Sequence, residues 1–178
     1  MHPRNLELTL LSAEDAGALL AELAELLHAC VQGGASVSFV LPYAPEDARD
    51  FWRAKVLPAV AGGGLALWVA RQDGRVAGSV QLDCDTPPNQ PHRAEVRKLL
   101  VHPDFRRRGI ARALLAEAEA MAVRRGRSLI TLDTRTGDSA EPLYASMGYQ
   151  AVGRIPGFSR DPRDAGKLDA TTIMYKQL

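Results

Sequence analysis

The stretch VHPDFRRRGIARALLAEAEAMAVRRG, residues 101–126, sets three consecutive arginines and a glycine at the start of a long helical pattern. A helix N-terminus exposes unpaired backbone N–H groups and carries roughly half a unit of positive charge. Adding Arg106, Arg107 and Arg108 there is locally unfavourable unless an anion is to be bound. Gly109 lets a large anion approach the backbone, and guanidinium groups supply bidentate geometry for phosphate. Residues 106–111, RRRGIA, therefore read as a diphosphate cradle. They are not a Walker-type loop, because no Gly-Lys-Ser/Thr closes them, and not a dinucleotide fingerprint, because the three-glycine spacing is missing. The competing readings are a solvated basic turn or a nucleic-acid patch. The second fails on composition: no aromatic residue interleaves with the arginines, and the net charge is only +1.

The elements that must hold this turn follow from periodicity. LELTLL alternates as a strand and gives way to SAEDAGALLAELAELLHAC. There Ser12 and Asp15 form a capping pair, and Leu19, Leu20, Leu23, Leu26, Leu27 and Cys30 share one helical face. QGGASVSFVLPYAP is a loop punctuated by Gly33 and Gly34. A second helix is predicted from Pro45, with Glu46 and Asp47 in its first turn and Phe51, Trp52 and Val56 along it, kinked or ended at Pro58. Asp73-Gly74 between two β-rich runs marks a hairpin. RAEVRKLLVHP is a strand leading into the basic turn, and a long helix follows over 108–125 with Ile110, Leu114, Ala118 and Met121 facing inward. RSLITLDT is a strand, DSAEPLYASMG a short helix stopped by Gly148, YQAVGRIPG and ATTIMYKQL the last strands, and SRDPRDAGK a surface loop. This order predicts an α/β fold (α+β by some schemes) with a mixed, twisted sheet of about seven strands flanked by about four helices.

With 178 residues, 46% of them hydrophobic, the chain has material for one domain with a substantial core, expected over residues 1–178. Cys30 and Cys84 are too few and too isolated for a disulfide framework or a zinc site, and read as buried thiols in a reducing cytosol. Cytoplasmic localisation is expected on that basis. Cys84 has no base paired with it and is a poor acyl-enzyme nucleophile. His2, His28, His92 and His102 lack metal-ligand spacing, so no metal is expected. MHPRNLELTL has no basic segment followed by an apolar run and does not read as a secretory leader. AGALLAELAELLHAC carries Glu22 and Glu25, which excludes it as a membrane span. Trp52 and Trp68 read as core.

Arg106, Gly109 and Ala111, preceded by LLVHPDF, resemble the central motif of the GCN5-related N-acetyltransferases: Gln or Arg, two residues, Gly, one residue, then Gly or Ala. Downstream, EPLYASMGY resembles that family's Leu-Tyr-x-x-x-Gly-Tyr/Phe helix end, and the order of elements agrees over essentially the whole chain. More narrowly, GGASVSF, RAEVRKLLV, LDT and VGRIPGF resemble the tabtoxin-resistance members of the family, which acetylate an amino-acid-like β-lactam toxin.

The resemblance implies acetyl-CoA as cosubstrate and acetyl transfer to a primary amine of a small molecule, by direct attack without a covalent enzyme intermediate. It implies that backbone groups of Leu99, Leu100 and Val101 pair with the pantetheine arm like an added strand, with amides near Leu99 polarising the thioester carbonyl. It implies too that the N–H groups of Arg107, Arg108, Gly109, Ile110, Ala111 and Arg112 surround the diphosphate. An aliphatic ammonium has a pKa of about 10.4 and is mostly unreactive at neutral pH, so a carboxylate must take its proton. Glu95 and Asp133 sit at candidate strand positions, and the resemblance points to the same two as the acid–base pair. Tyr144 is the candidate acid for the departing thiolate.

Each has another reading: Glu95 as an ion pair with Arg93 or Arg97, Asp133 as a cap for TRTGD, Tyr144 as helix–sheet packing. Gly34 and Ser36 are candidate acceptor-binding residues or part of an ordinary interhelix turn. The family often has Asn seven residues before the tyrosine; here it is Gly137, so that contact is lost or taken by Asp138 or Ser139. Alternation puts Glu95, Arg97, Leu99 and Val101 on one face, but the bulge this family often carries there would change the facing beyond it. The expected partner is a small-molecule amine, with no nucleic acid and no membrane, and the expected state a monomer or homodimer. The rival functions are acetylation of a protein or peptide, and non-catalytic acyl-CoA sensing.

Overall fold

The computed structural model describes residues 6–178. The readings made on residues 1–5, His2 included, lie outside the described residues. The chain runs β1 (Leu6–Leu11), α1 (Ala13–Ala18), α2 (Leu20–Gln32), α3 (Pro45–Phe51), a π-helical turn (Trp52–Val56), α4 (Leu57–Ala61), β2 (Leu65–Gln72) and β3 (Arg75–Asp83). It continues through β4 (Arg93–Val101), a 3-10 turn (Pro103–Phe105), α5 (Ile110–Arg124), β5 (Leu129–Arg135), α6 (Ala140–Ser146), β6 (Gln150–Arg160) and β7 (Leu168–Gln177). This is the predicted order, with two local departures in the helices.

The first is a break at Leu19, which divides the predicted first helix into α1 and α2. Its start is as expected: Ser12 Oγ accepts from the Asp15 N–H at 3.0 Å, and Asp15 Oδ2 accepts from the Ser12 N–H at 3.3 Å. Leu23, Leu26, Leu27 and Cys30 are buried, whereas Leu19 and Leu20, at the break, are only half-buried. The second departure is at Pro58, which neither ends nor simply kinks its helix. Proline lacks an N–H and its ring crowds the carbonyl four residues back. The helix widens just upstream instead, so that the Leu57 N–H donates to Trp52 O, five residues earlier, and then continues to Ala61.

The seven strands form one mixed sheet in the order β1-β2-β3-β4-β5-β7-β6. Helices cover both faces. On one side Ala66, Trp68, Val80, Leu82, Val96 and Ile130 pack with Ile110, Leu114 and Ala118 of α5. On the other, Leu65, Leu67 and Val69 pack with Leu23 and Leu27 of α2 and with Trp52. Burial on both faces is why β2 reads as a near-continuous apolar run. Trp52, Trp68, Cys30 and Cys84 are all buried, and the two thiols are free. Strand β6, at the sheet edge, is exposed along most of its length. Among the described residues no helix is long and apolar enough to cross a membrane.

Two irregularities near the middle of the sheet matter most. The parallel pairing of β4 with β5 lasts only from Arg93↔Leu129 through Glu95↔Thr131; beyond it the strands share no ladder. In addition β4 bulges: Gln81 faces Arg97 but Ser79 faces Leu100, so an extra residue of β4 is fitted in, and Lys98 has φ +48°. In a regular strand Val96 and Leu100 would share a face. Here Val96 joins the α5-side core and Leu100 the α2-side core. The bulge thus reverses the facing of β4 just where it parts from β5.

Candidate active site

A cleft of about 860 Å³ opens between the separated halves of β4 and β5. Its walls come from the loop after α2, from β4 and the basic turn, from the first turn of α5, and from the loop into α6. Of the residues singled out from sequence, Glu95, Asp133, Tyr144, Leu99, Leu100, Val101, Arg107, Gly109, Ile110, Ala111, Arg112, Gly34 and Ser36 all line it. Arg108 does not. Its guanidinium turns back to donate to Asp104 O at 3.0 Å and lies over the Phe105 ring at 5.1 Å.

At one end the basic turn is shaped by two left-handed residues, Arg107 (φ +64°) and Gly109 (φ +80°), the second being the N-cap of α5. No side chain caps this helix, and its first turn contains no acidic residue. Its leading N–H groups therefore lack the usual internal acceptor. A Cβ built on Gly109 would meet nothing within 4 Å, so space is open above the helix end. Arg106, Arg107 and Arg112 line the cleft around it, Arg112 anchored by donating to Ser146 Oγ at 2.7 Å. Free amides, a positive helix end and open space together fit a diphosphate.

Next along the cleft, Leu99, Leu100 and Val101 present a strand edge that β5 has left. Val101 O already accepts from the Cys30 thiol and from Arg106 Nε, each at 3.4 Å. Burial pushes the Cys30 thiol up to about 11, so it stays protonated at neutral pH and is a poor nucleophile.

Beyond this edge the two carboxylates face the cleft. Glu95 lies 3.7 Å from Arg93 and 3.9 Å from Arg97, so the ion-pair reading and cleft placement hold together. Both contacts are long, and Arg97 has a closer partner in Asp83 at 2.7 Å. Asp133 is not the cap of the TRTGD loop. Its Oδ2 accepts from the Thr171 hydroxyl at 3.0 Å, while Glu141 receives the Gly137 N–H of that loop at 2.7 Å. Asp138 and Ser139 line the cleft, but Asp138 is drawn to Arg135 at 3.1 Å.

Tyr144 is 6% exposed and packs edge-on against Tyr149 at 5.6 Å, yet it also lines the cleft. Burial, with Asp133 and Asp138 nearby, holds its phenol well above the usual tyrosine range. It remains a proton donor throughout the neutral range. Gly34 has φ +83° and lies under the Arg163 guanidinium, where a Cβ would come 2.8 Å from Nε; its carbonyl accepts from Arg135 at 3.2 Å.

Lys98, Ser38 and Arg135 also line the cleft and were not among the residues singled out from sequence. Lys98 is one of four charged residues in RAEVRKLLV and has no local signal that sets it apart; the bulge that aims it is expected only from the family resemblance. Among the described residues no group of three or more His, Cys, Asp and Glu is placed to hold a metal.

The acetyltransferase (GNAT) domain family matches residues 63–151, half of the chain. The chain is 38% identical to human N-acetyltransferase 8 over 93 residues, 51% of this chain and 41% of that protein. It is 32% identical to N-acetylaspartate synthetase of Danio rerio over 105 residues, 56% of this chain and 36% of that protein. The chain thus spans well under half the length of these relatives. In fold it resembles yncA of Salmonella typhimurium, solved with its cofactor acetyl-CoA, with a TM-score of 0.74 at 19% identity, covering 98% of this chain and 94% of that one.

Proposed function

Because this chain belongs to the GNAT acetyltransferase family, we propose that it transfers the acetyl group of acetyl-CoA to a primary amine of a small molecule, as one catalytic domain. The observation that carries the reading is a single cleft with an uncapped, arginine-ringed helix end at one end and two carboxylates and a buried tyrosine further along. The structural neighbour solved with acetyl-CoA and the relative named for making N-acetylaspartate support the cosubstrate and a small acceptor.

Acetyl-CoA supplies the activated acetyl group. The N–H groups of residues 107–112 hold its diphosphate, and the edge of Leu99, Leu100 and Val101 aligns the pantetheine arm. Side-chain charge at the diphosphate comes from Arg106, Arg107 and Arg112, since the Arg108 side chain is turned away. Glu95 and Asp133 receive the proton that leaves the acceptor ammonium, directly or through water. Tyr144 holds a proton for the sulfur that departs, and amides near Leu99 stabilise negative charge on the thioester oxygen. On this reading the amine attacks directly, as the family resemblance implies, and burial that keeps Cys30 a thiol in the cleft supports it.

The two free buried thiols support a reducing, cytoplasmic setting, and a monomer or homodimer is the working state we propose. A β-lactam amino-acid toxin of the tabtoxin type is the narrower acceptor carried forward. The test is a panel of amines with acetyl-CoA, followed by thiol release, with tabtoxinine-β-lactam, diamino acids and peptides included. Turnover of peptides alone would reject a small-molecule acceptor, and acetyl-CoA binding without turnover of any amine would reject catalysis.

A further inference from the structure

The cations lining the cleft are of two kinds. Arg97 is neutralised by Asp83 at 2.7 Å, and Arg135 by Asp138 at 3.1 Å and Asp169 at 3.5 Å. Arg106, Arg107 and Arg112 have no carboxylate within 4 Å among the described residues, and they gather at the diphosphate turn, where an anion is expected. Lys98 also has no carboxylate that close among the described residues, but it stands apart from that turn, on the bulge of β4.

The surroundings of Lys98 are built rather than incidental. Its Nζ donates to Ser38 Oγ at 2.9 Å and lies 5.8 Å and 5.7 Å from the Phe39 and Phe51 ring centres. A hydroxyl and two ring faces replace part of an ammonium's hydration, but they bring no negative charge. Lys98 (φ +48°) and Ser38 (φ +81°) are both non-glycine residues in the left-handed region, and they are joined to each other across the cleft wall. Strained backbone of this kind gathers where a site must be held in one geometry. Burial and Arg97 lower the pKa of the ammonium, while the Asp133 and Glu95 charges oppose that shift, so both candidate bases lie within electrostatic reach of it.

We infer that Lys98 binds a carboxylate of the acceptor, so that the acceptor is a free amino acid with its amine toward Glu95 and Asp133. This rests on the transferase reading above and names the acceptor class for it. Two carboxylates beside one unneutralised ammonium complement a zwitterion. A peptide N-terminus carries no α-carboxylate and would leave Lys98 unpaired, which sets this class against a protein acceptor. Lys98 is thus a specificity-determining residue.

The test compares L-lysine and its shorter diamino-acid homologues, whose side-chain amine lies away from the carboxylate, with their α-amides, by thiol release from acetyl-CoA and by calorimetric titration into the protein saturated with coenzyme A. The wild type is expected to prefer acids over matched amides by about 10- to 100-fold, mainly in KM, the scale of one lost hydrogen bond to a charged group. In Lys98→Met the ratio of acid to amide collapses toward one, and Lys98→Arg restores part of it. Equal use of acids and amides by the wild type, or an undiminished preference in Lys98→Met, overturns the inference. Acetyl-CoA titrations of both variants check that the fold is intact. The calorimetric arm separates the two readings. Acids that bind the wild type but not Lys98→Met, without turnover, sustain the carboxylate site and sink the transferase. Turnover of amines with no binding advantage for acids does the reverse.

Discussion

Replacing Glu95 with Gln is expected to lower kcat/KM at neutral pH by about 100-fold and to restore most of it in alkali. An acceptor amine with a pKa of about 10.4 is free base at only about one part in a thousand at pH ~7.4, so a base that captures its proton is worth at most roughly 1000-fold. In the proposed mechanism two carboxylates that line the cleft share that. One oxygen of Asp133 is already engaged by Thr171 at 3.0 Å. Glu95, with a side chain 39% exposed and arginines no closer than 3.7 Å, keeps lone pairs free for the amine or a bridging water. Glu95 therefore carries the larger share, Asp133→Asn costs about 10-fold, and the double variant approaches the full bound. The assay is thiol release at saturating acetyl-CoA across about pH 6.5 to 10, a range chosen to approach the amine pKa. The Glu95→Gln curve is expected to climb toward wild type as the amine deprotonates by itself. Thermal stability should barely move, since a surface exchange of this kind is usually within about 0.5 kcal/mol. Full activity of Glu95→Gln at neutral pH, or a loss of the same size at every pH, would refute the base assignment.

Tyr144→Phe is expected to cut kcat by about 100-fold, with a much smaller effect on the KM for acetyl-CoA. The same substitution tests the raised phenol pKa. The unfolded chain ionises this tyrosine near pH ~10 while the folded chain does not, so above that pH wild type loses stability as pH rises, and Tyr144→Phe loses less; alkaline unfolding midpoints of the two proteins measure it. Gly109→Ala places a side chain at φ +80°, costing about 1–2 kcal/mol, and puts a methyl in the space over the helix end. It should lower the Tm and weaken acetyl-CoA binding severalfold, measured by thermal melts and calorimetry; unchanged values of both would contradict the cradle.

What was legible in the sequence was what depends on neighbours along the chain. The arginines, Gly109 and the apolar helix face after them are contiguous, so the basic turn and the helix it opens could be read directly, and the strands followed from alternation, apolar runs and the Asp73-Gly74 hairpin signal. Features set by residues far along the chain were not legible. The bulge in β4 is the one the family resemblance leads us to expect, but nothing in RKLLV itself marks where it falls, so neither the facing of Lys98 nor its partner Ser38, 60 positions away, could be read. Asp133 was open to reading as a loop cap because Thr171, its hydrogen-bond donor, is 38 positions away and Glu141 serves that loop instead. Arg108 matched its neighbours in type, but contacts with Asp104 and Phe105 turn its side chain outward. Glu95 was ambiguous for a different reason: it is both an ion-pair member and a cleft residue. At Pro58 the steric conflict was readable, but its relief as a π-helical turn upstream was not.

The most direct test of the account is amide hydrogen exchange on the whole chain with and without coenzyme A. Slowed exchange confined mainly to the amides of residues 107–112 and to the strand edge at Leu99–Val101 is the predicted result. Unchanged exchange at those amides under saturating coenzyme A, or protection appearing elsewhere in the sheet, would contradict it.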